Sequence, residues 1–235
     1  MAVRNHSHRG ARQPELLAAA RRLFSRQHYS GTTIEEIART AGFSKRTVYL
    51  YFKNKDELFI AVAEEGLVIL RSRLEAIPLT RLEVEAAVEG IANTYLSFAR
   101  EEPDYFRMIF QEATAEMIAH ISDALRRRIE EHEYACLSIV AAVVDRAMAT
   151  GLTPPLDRWE TAVIFWGMVT GIILLSMGGS QTVFGRRTRE GLVRKAVWIL
   201  FEGLKKPAVT TLGMPNHQKI VASAPSSKTR RKKRV

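Results

Sequence analysis

The chain has 235 residues, 46% of them apolar, a single cysteine and a formal net charge of +10. That apolar share supports a sizeable core and excludes a wholly disordered chain, and the lone Cys136 excludes an internal disulfide framework or a multi-cysteine metal cluster. The charge is unevenly placed: residues 1–57 carry +6, residues 58–204 carry −5 and residues 205–235 carry +9, so a polyanion partner is expected at the ends.

Taken in order, the segments read as helices. Alternating β-branched runs are absent and apolar residues recur at spacings of three and four, which predicts an all-α fold. Leu16, Ala20, Leu23 and Phe24 line one face of a first helix. Thr33, with Glu36 three residues on, is a capping box that opens a second helix whose buried stripe is Ile34, Ile37, Ala38 and Ala41. Gly42 ends it with the permissive backbone a sharp turn needs. Ser44 caps a third helix with Lys45, Arg46 and Thr47 in its first turn and Val48 and Phe52 facing inward. Asn54 with Glu57 reads as a second capping box, starting a fourth helix that runs to about Ala76. Later helices are predicted near 82–101, 104–111, 114–149, 157–178 and 189–205, separated by proline and glycine signals. Residues 207–235 turn Pro/Ser/Lys-rich without periodicity and are expected to be a disordered basic tail. The expected domains are a helical head at 10–72, with a helix-turn-helix at 33–52, a helical bundle at 73–206, and that tail.

The third helix concentrates chemistry suited to DNA. Lys45 and Arg46 offer donors to guanine edges or phosphates, while the hydroxyls of Thr47, Tyr49 and Tyr51 suit phosphate oxygens. Lys55, at a helix N-terminus, is expected near a phosphate, and Thr33 and Ser44 complete the candidate DNA-binding set. Helix pairs joined by a turn are common packing units, so it is the clustering of these side chains on one short helix that favours DNA.

Residues 12–60 resemble the head of the TetR (tetracycline-repressor-like) family of transcriptional regulators. The resemblance is carried by Ala20-x-x-Leu23-Phe24, Thr32-Thr33-Ile34-x-x-Ile37-Ala38, Ala41-Gly42 and Ser44-Lys45-x-Thr47-Val48-Tyr49-x-Tyr51-Phe52-x-x-Lys55-x-Glu57-Leu58. It implies a homodimer whose two heads read a palindromic operator in double-stranded DNA, and a repressor released when a small molecule binds the C-terminal domain; a cytoplasmic location is expected from the single cysteine, which fits a reducing cytosol. His28 departs from the family, standing where a glycine usually ends the first helix, and a left-handed conformation is expected there at modest cost. Arg46 stands where a small residue or proline is frequent, which bears on the operator sequence.

No charged residue occurs from Thr161 through Gly185. The alternative function, a membrane-associated helical protein, rests on this stretch. Gly178-Gly179 and three hydroxyl residues shorten its apolar part to about 16–17 residues, under the roughly 20 needed to span a bilayer. The resemblance instead makes it one wall of a buried four-helix dimer interface, partnered by 189–205, so no membrane partner is expected.

Aromatic and sulfur-bearing side chains read, each taken singly, as an ordinary helical core, and taken together as a mostly apolar effector cavity with Tyr95, Phe98, Phe106, Phe110, Met117, Tyr134, Phe165 and Trp166 as candidate lining. The unknown small-molecule effector is expected to be apolar or amphipathic. Glu112, Glu116, His120 and Asp123 recur at helical spacing, a ladder that could hold a metal but more often forms a solvated acidic face. No metal or cofactor is expected, Cys136 reads as packing, and with no phosphate loop or nucleophile elbow an enzyme is not expected. The polybasic tail reads either as solvated chain or as a source of added non-specific DNA affinity.

Overall fold

The computed structural model describes residues 4–177 and 187–205, with side chains from Arg12 onward. Gly178-Gly179 and the basic tail therefore lie outside the described residues. Among the described residues ten α-helices follow one another along the chain. The head holds α1 (Arg4–Gly31), α2 (Ile34–Thr40) and α3 (Lys45–Tyr49), packed on the start of α4 (Lys55–Glu75). The body adds α5 (Val84–Glu101), α6 (Pro103–Arg107), α7 (Ala115–His120), α8 (Asp123–Ala149), α9 (Arg158–Met177) and α10 (Arg189–Leu204). No strand occurs among the described residues.

The local signals act as the sequence predicts where they concern neighbours in the chain. The Thr33 hydroxyl accepts from the Glu36 amide at 3.2 Å while the Glu36 carboxylate accepts from the Thr33 amide at 3.0 Å, the two halves of a capping box. Gly42, at φ +73°, turns the chain from α2 into α3. The Ser44 hydroxyl accepts from the Thr47 amide at 3.1 Å and starts α3.

The second expected box is only half formed. Asn54 Oδ1 accepts from the Glu57 amide at 2.7 Å, but the Glu57 carboxylate takes the amides of Lys53 at 2.7 Å and Ser122 at 3.2 Å. That second bond fixes the start of α8, so the helix expected over 114–149 is two helices, α7 and α8, parted at Ile121-Ser122. The helix expected over 104–111 is also two pieces: α6 runs into a π turn, Met108–Glu112.

These breaks dissolve the predicted ladder. Glu112 ends the π turn, Glu116 and His120 lie on α7, and Asp123 opens α8, so the four share no helical face. No cluster of metal-ligating side chains is found among the described residues.

One apolar core runs from Leu16 to Val197 without a gap between head and body. Its head portion is aromatic: Phe24 meets Phe59 edge-on at 5.0 Å, and Tyr29 meets Phe59 at 5.2 Å. Each fully buried Phe or Leu contributes about 1.5–3 kcal/mol of transfer free energy, so α4, buried along eleven positions, is the spine of the molecule. It continues past residue 72, the expected domain boundary. At Gly66 the α6 backbone comes so near that an added Cβ would lie 2.7 Å from Tyr105 Cβ.

Candidate functional site

The outward surface of the head is built by α3. Arg46 is exposed and makes no hydrogen bond or ion pair among the described residues, which leaves its guanidinium available. Tyr49 is 47% exposed beside it. Ser44 and Thr47 hydroxyls lie 2.9 Å apart, so each is already oriented by the other. Tyr51 is half-buried.

Two lysines stand differently from what their sequence positions suggest. Lys45 pairs with Glu35 on α2, and each charge shifts the other: the carboxyl is held low by the lysine hydrogen bond, and the ammonium is held high by the carboxylate. Both groups are in solvent, so this pair competes weakly with a phosphate. Lys55 turns inward. Its ammonium donates to the carbonyls of Tyr29 at 3.0 Å and Thr32 at 3.1 Å and lies 3.9 Å from the centre of the Tyr29 ring. It satisfies the carbonyls at the end of α1, a helix-capping role. Reasoning from sequence missed Glu35, which nothing local marks as a partner of Lys45, and Arg12, whose guanidinium lies over the Phe43 ring at 5.9 Å.

His28 departs from expectation as well. Its φ is +60° and ψ 177°, outside the left-handed helical well and in a region that is essentially glycine territory, at a cost of about 1–3 kcal/mol. The surroundings hold it there. Glu112 accepts from the His28 ring, where Nδ1 lies at 2.8 Å, and from the Tyr29 amide at 3.2 Å, while the Thr32 hydroxyl donates to the His28 carbonyl at 2.8 Å. Arg107 adds a third bond to Glu112 at 2.8 Å. Burial alone would raise the Glu112 pKa, but these bonds from His28, Tyr29 and Arg107 outweigh it and hold the carboxyl low. A second tie between head and body joins Tyr29 and His120 to the two oxygens of Asp56, with His120 Nδ1 at 2.9 Å.

The expected cavity residues separate. A cavity of about 250 Å³ is lined by Leu67, Phe110, Glu133, Cys136, Leu137 and Trp166. Tyr95 is buried behind it, 4.5 Å from Trp166 and 5.8 Å from Phe110 between ring centres, with its hydroxyl 2.8 Å from that of Thr170. Phe98 and Phe106 are fully buried packing residues, and Met117 sits half-buried on α7. Phe165 faces a different, much smaller gap of about 40 Å³ with Val84, Val140 and Val197. Tyr134 is the clear correction: it is 61% exposed and packs on Trp159 outside the bundle, because the face of α8 that looks inward carries Cys136 and Val140. Burial pushes the Cys136 thiol up to about 12, which suits the packing role rather than redox chemistry.

Residues 16–62 match the family model "Bacterial regulatory proteins, tetR family", and residues 88–197 match "Tetracyclin repressor-like, C-terminal domain". The transcriptional repressor Rv1474c of Mycobacterium tuberculosis is 30% identical over 132 residues, 53% of this chain and 70% of that protein. The chain belongs to the TetR family. Another relative of this TetR regulator is the uncharacterised regulator YfiR of Bacillus subtilis, 40% identical over 60 residues, 26% of this chain and 29% of YfiR. Among solved structures, the fold is similar to a Rhodococcus sp. RHA1 protein of unknown function, with a TM-score of 0.67 at 23% identity, covering 86% of this chain and all of the other. It is also similar to FadR of Bacillus subtilis, solved in complex with stearoyl-CoA, with a TM-score of 0.63 at 18% identity over 81% of this chain and 98% of that one. The family is one of helix-turn-helix transcriptional regulators, and the membrane-associated alternative finds no support in it.

Proposed function

We infer that this regulator is a cytoplasmic homodimeric repressor that holds a palindromic operator in double-stranded DNA and lets go when a small apolar or amphipathic molecule enters the cavity. The observation that carries the reading is a short covalent path. Phe110 lines the cavity, and Glu112, two residues later in the same π turn, grips His28 and Tyr29 of the head. A ligand that moves Phe110 must move the grip, and π turns recur at functional sites for this kind of irregularity. In the head, Arg46 and Lys45 would face bases, Thr33, Ser44, Thr47, Tyr49 and Tyr51 would meet backbone, and Lys55 would brace α1 from within. The name of Rv1474c as a repressor and the acyl-CoA held by FadR support a ligand-released repressor.

The homodimer is supported by an unpartnered apolar face. Val163, Ile164 and Leu175 on α9 and Trp198 and Ile199 on α10 are each about half exposed or more. Although α9 is long and apolar enough to cross a membrane, it packs against α8 and α10, and its outward side chains continue the same apolar surface.

Selection of bound sequences from a random DNA pool by the full-length protein tests the reading. A palindromic consensus is the expected result, and recovery of sequence without two-fold symmetry, or none enriched at all, would reject it.

A further inference from the structure

Among the described residues 12–60, two large apolar side chains stand exposed, and they are neighbours: Tyr49 at 47% and Leu50 at 65%. Core packing does not account for Leu50. Val48 and Phe52, two residues before and after it, are buried in the head core, while Leu50 ends α3 in helical backbone (φ −75°, ψ −19°) on the opposite side. Lying four residues after Arg46, it shares the outward side of α3 with that free guanidinium. Lys45 and Tyr49 form the parallel row, with the lysine ammonium 6.0 Å from the centre of the Tyr49 ring. An uncovered apolar side chain therefore sits among the charged and hydroxyl-bearing groups that would meet DNA.

Leucine carries no donor, so Leu50 adds nothing to a grip on phosphates. The apolar feature that base edges offer in the major groove is the 5-methyl group of thymine. Four helical residues rise about 6 Å and base pairs stack about 3.4 Å apart, so Leu50 and Arg46 would reach positions about two pairs apart when α3 lies along the groove.

We propose that Leu50 is a specificity-determining residue that packs on the 5-methyl group of a thymine, about two base pairs from the pair that Arg46 contacts, in each half-site. The assignment rests on the operator-binding reading above. Covering Leu50 with deoxyribose would bury the same side chain at any base, whereas the thymine methyl ties that burial to sequence.

The operator selected by the full-length protein from a random DNA pool supplies the probe, with deoxyuridine placed at each thymidine of one half-site in turn. That exchange removes the methyl group and keeps the base pair. At one thymine it is expected to weaken wild-type binding about fourfold, the weight of one buried methyl-sized group, and to leave the binding of Leu50→Ala unchanged. Leu50→Met, which keeps an apolar chain of similar size, is expected to retain the sensitivity. The sensitive thymine should lie about two pairs from a position whose base preference relaxes in Arg46→Ala. Thermal unfolding of Leu50→Ala at the wild-type temperature separates a lost contact from a damaged head, and the wild-type measurement depends on no variant. A palindromic operator in which every thymidine can be exchanged without loss, or a methyl effect that persists in Leu50→Ala, overturns the assignment and leaves operator binding standing. Equal weakening of Leu50→Ala on operator and random DNA marks a contact to the backbone and overturns it as well. Selection that enriches no sequence removes the operator-binding reading and the assignment with it.

Discussion

Arg46 is the side chain with most freedom to read a base, since its guanidinium is exposed and unclaimed while neighbouring Lys45 is held by Glu35. Arg46→Ala is expected to cost about 1–3 kcal/mol at the selected operator and far less on random DNA, measured by competition binding. His28 makes an opposite kind of prediction. Glycine there relieves about 1–3 kcal/mol of backbone strain, against about 0.5–1 kcal/mol of added chain entropy, and the exposed ring contact to Glu112 contributes little. His28→Gly should therefore raise the stability by about 1 kcal/mol in urea denaturation, and a lower midpoint would contradict the strain argument. Gly66 has no such slack, because its Cβ position is filled by Tyr105 and Ile109. Gly66→Ala should lower stability by about 1–3 kcal/mol in the same assay, as overpacking does.

At the scale of elements, the junction between head and body is made of carboxylates that are ionised in the fold. Glu57 and Glu112 are each pushed up by burial yet held below the ordinary 4.5 overall, by Ser122 and the Lys53 amide in one case and by His28, Tyr29 and Arg107 in the other. A depressed folded pKa means that the folded chain binds fewer protons than the unfolded one, so these groups stabilise fully above the unfolded value and lose that contribution as pH falls through the folded values. Urea midpoints taken from about pH 6 down to about pH 3 should fall less steeply in Glu112→Gln than in the wild type, and parallel slopes would count against this role. The same junction shows what sequence could and could not reveal. The Thr33–Glu36 box, the Ser44 cap and the Gly42 turn were legible because each joins residues three or four apart. The Glu57 carboxylate looked like the return half of a cap and instead binds Ser122, 65 positions away. The His28–Glu112 and Asp56–His120 ties span 84 and 64 positions, and periodicity holds no information about such pairs. For the same reason a single 114–149 helix was expected where a head carboxylate enforces a break.

For the whole molecule, the all-α architecture and the place of the short helix α3 followed from apolar spacing and from the motif. The cavity was harder to place, since aromatic residues crowd both core and pocket and only the angular position of each on its helix separates Tyr134 from Trp166. The apolar length of α9 was visible, but which side of it stays uncovered depended on how α8 and α10 pack against it. Substituting aspartate for Trp198 or Ile164 should shift the protein from dimer to monomer in sedimentation velocity while leaving helix content intact, and an unchanged sedimentation coefficient would place the dimer surface elsewhere. A dimer through that uncovered face would also tie the regulator's durability to its own abundance. When two chains complete each other's cores, mass action makes each tenfold dilution of protein remove about 1.4 kcal/mol of apparent stability per dimer. A sparse regulator would then be a fragile one, its scarcity setting a floor beneath which single chains unfold before they find a partner.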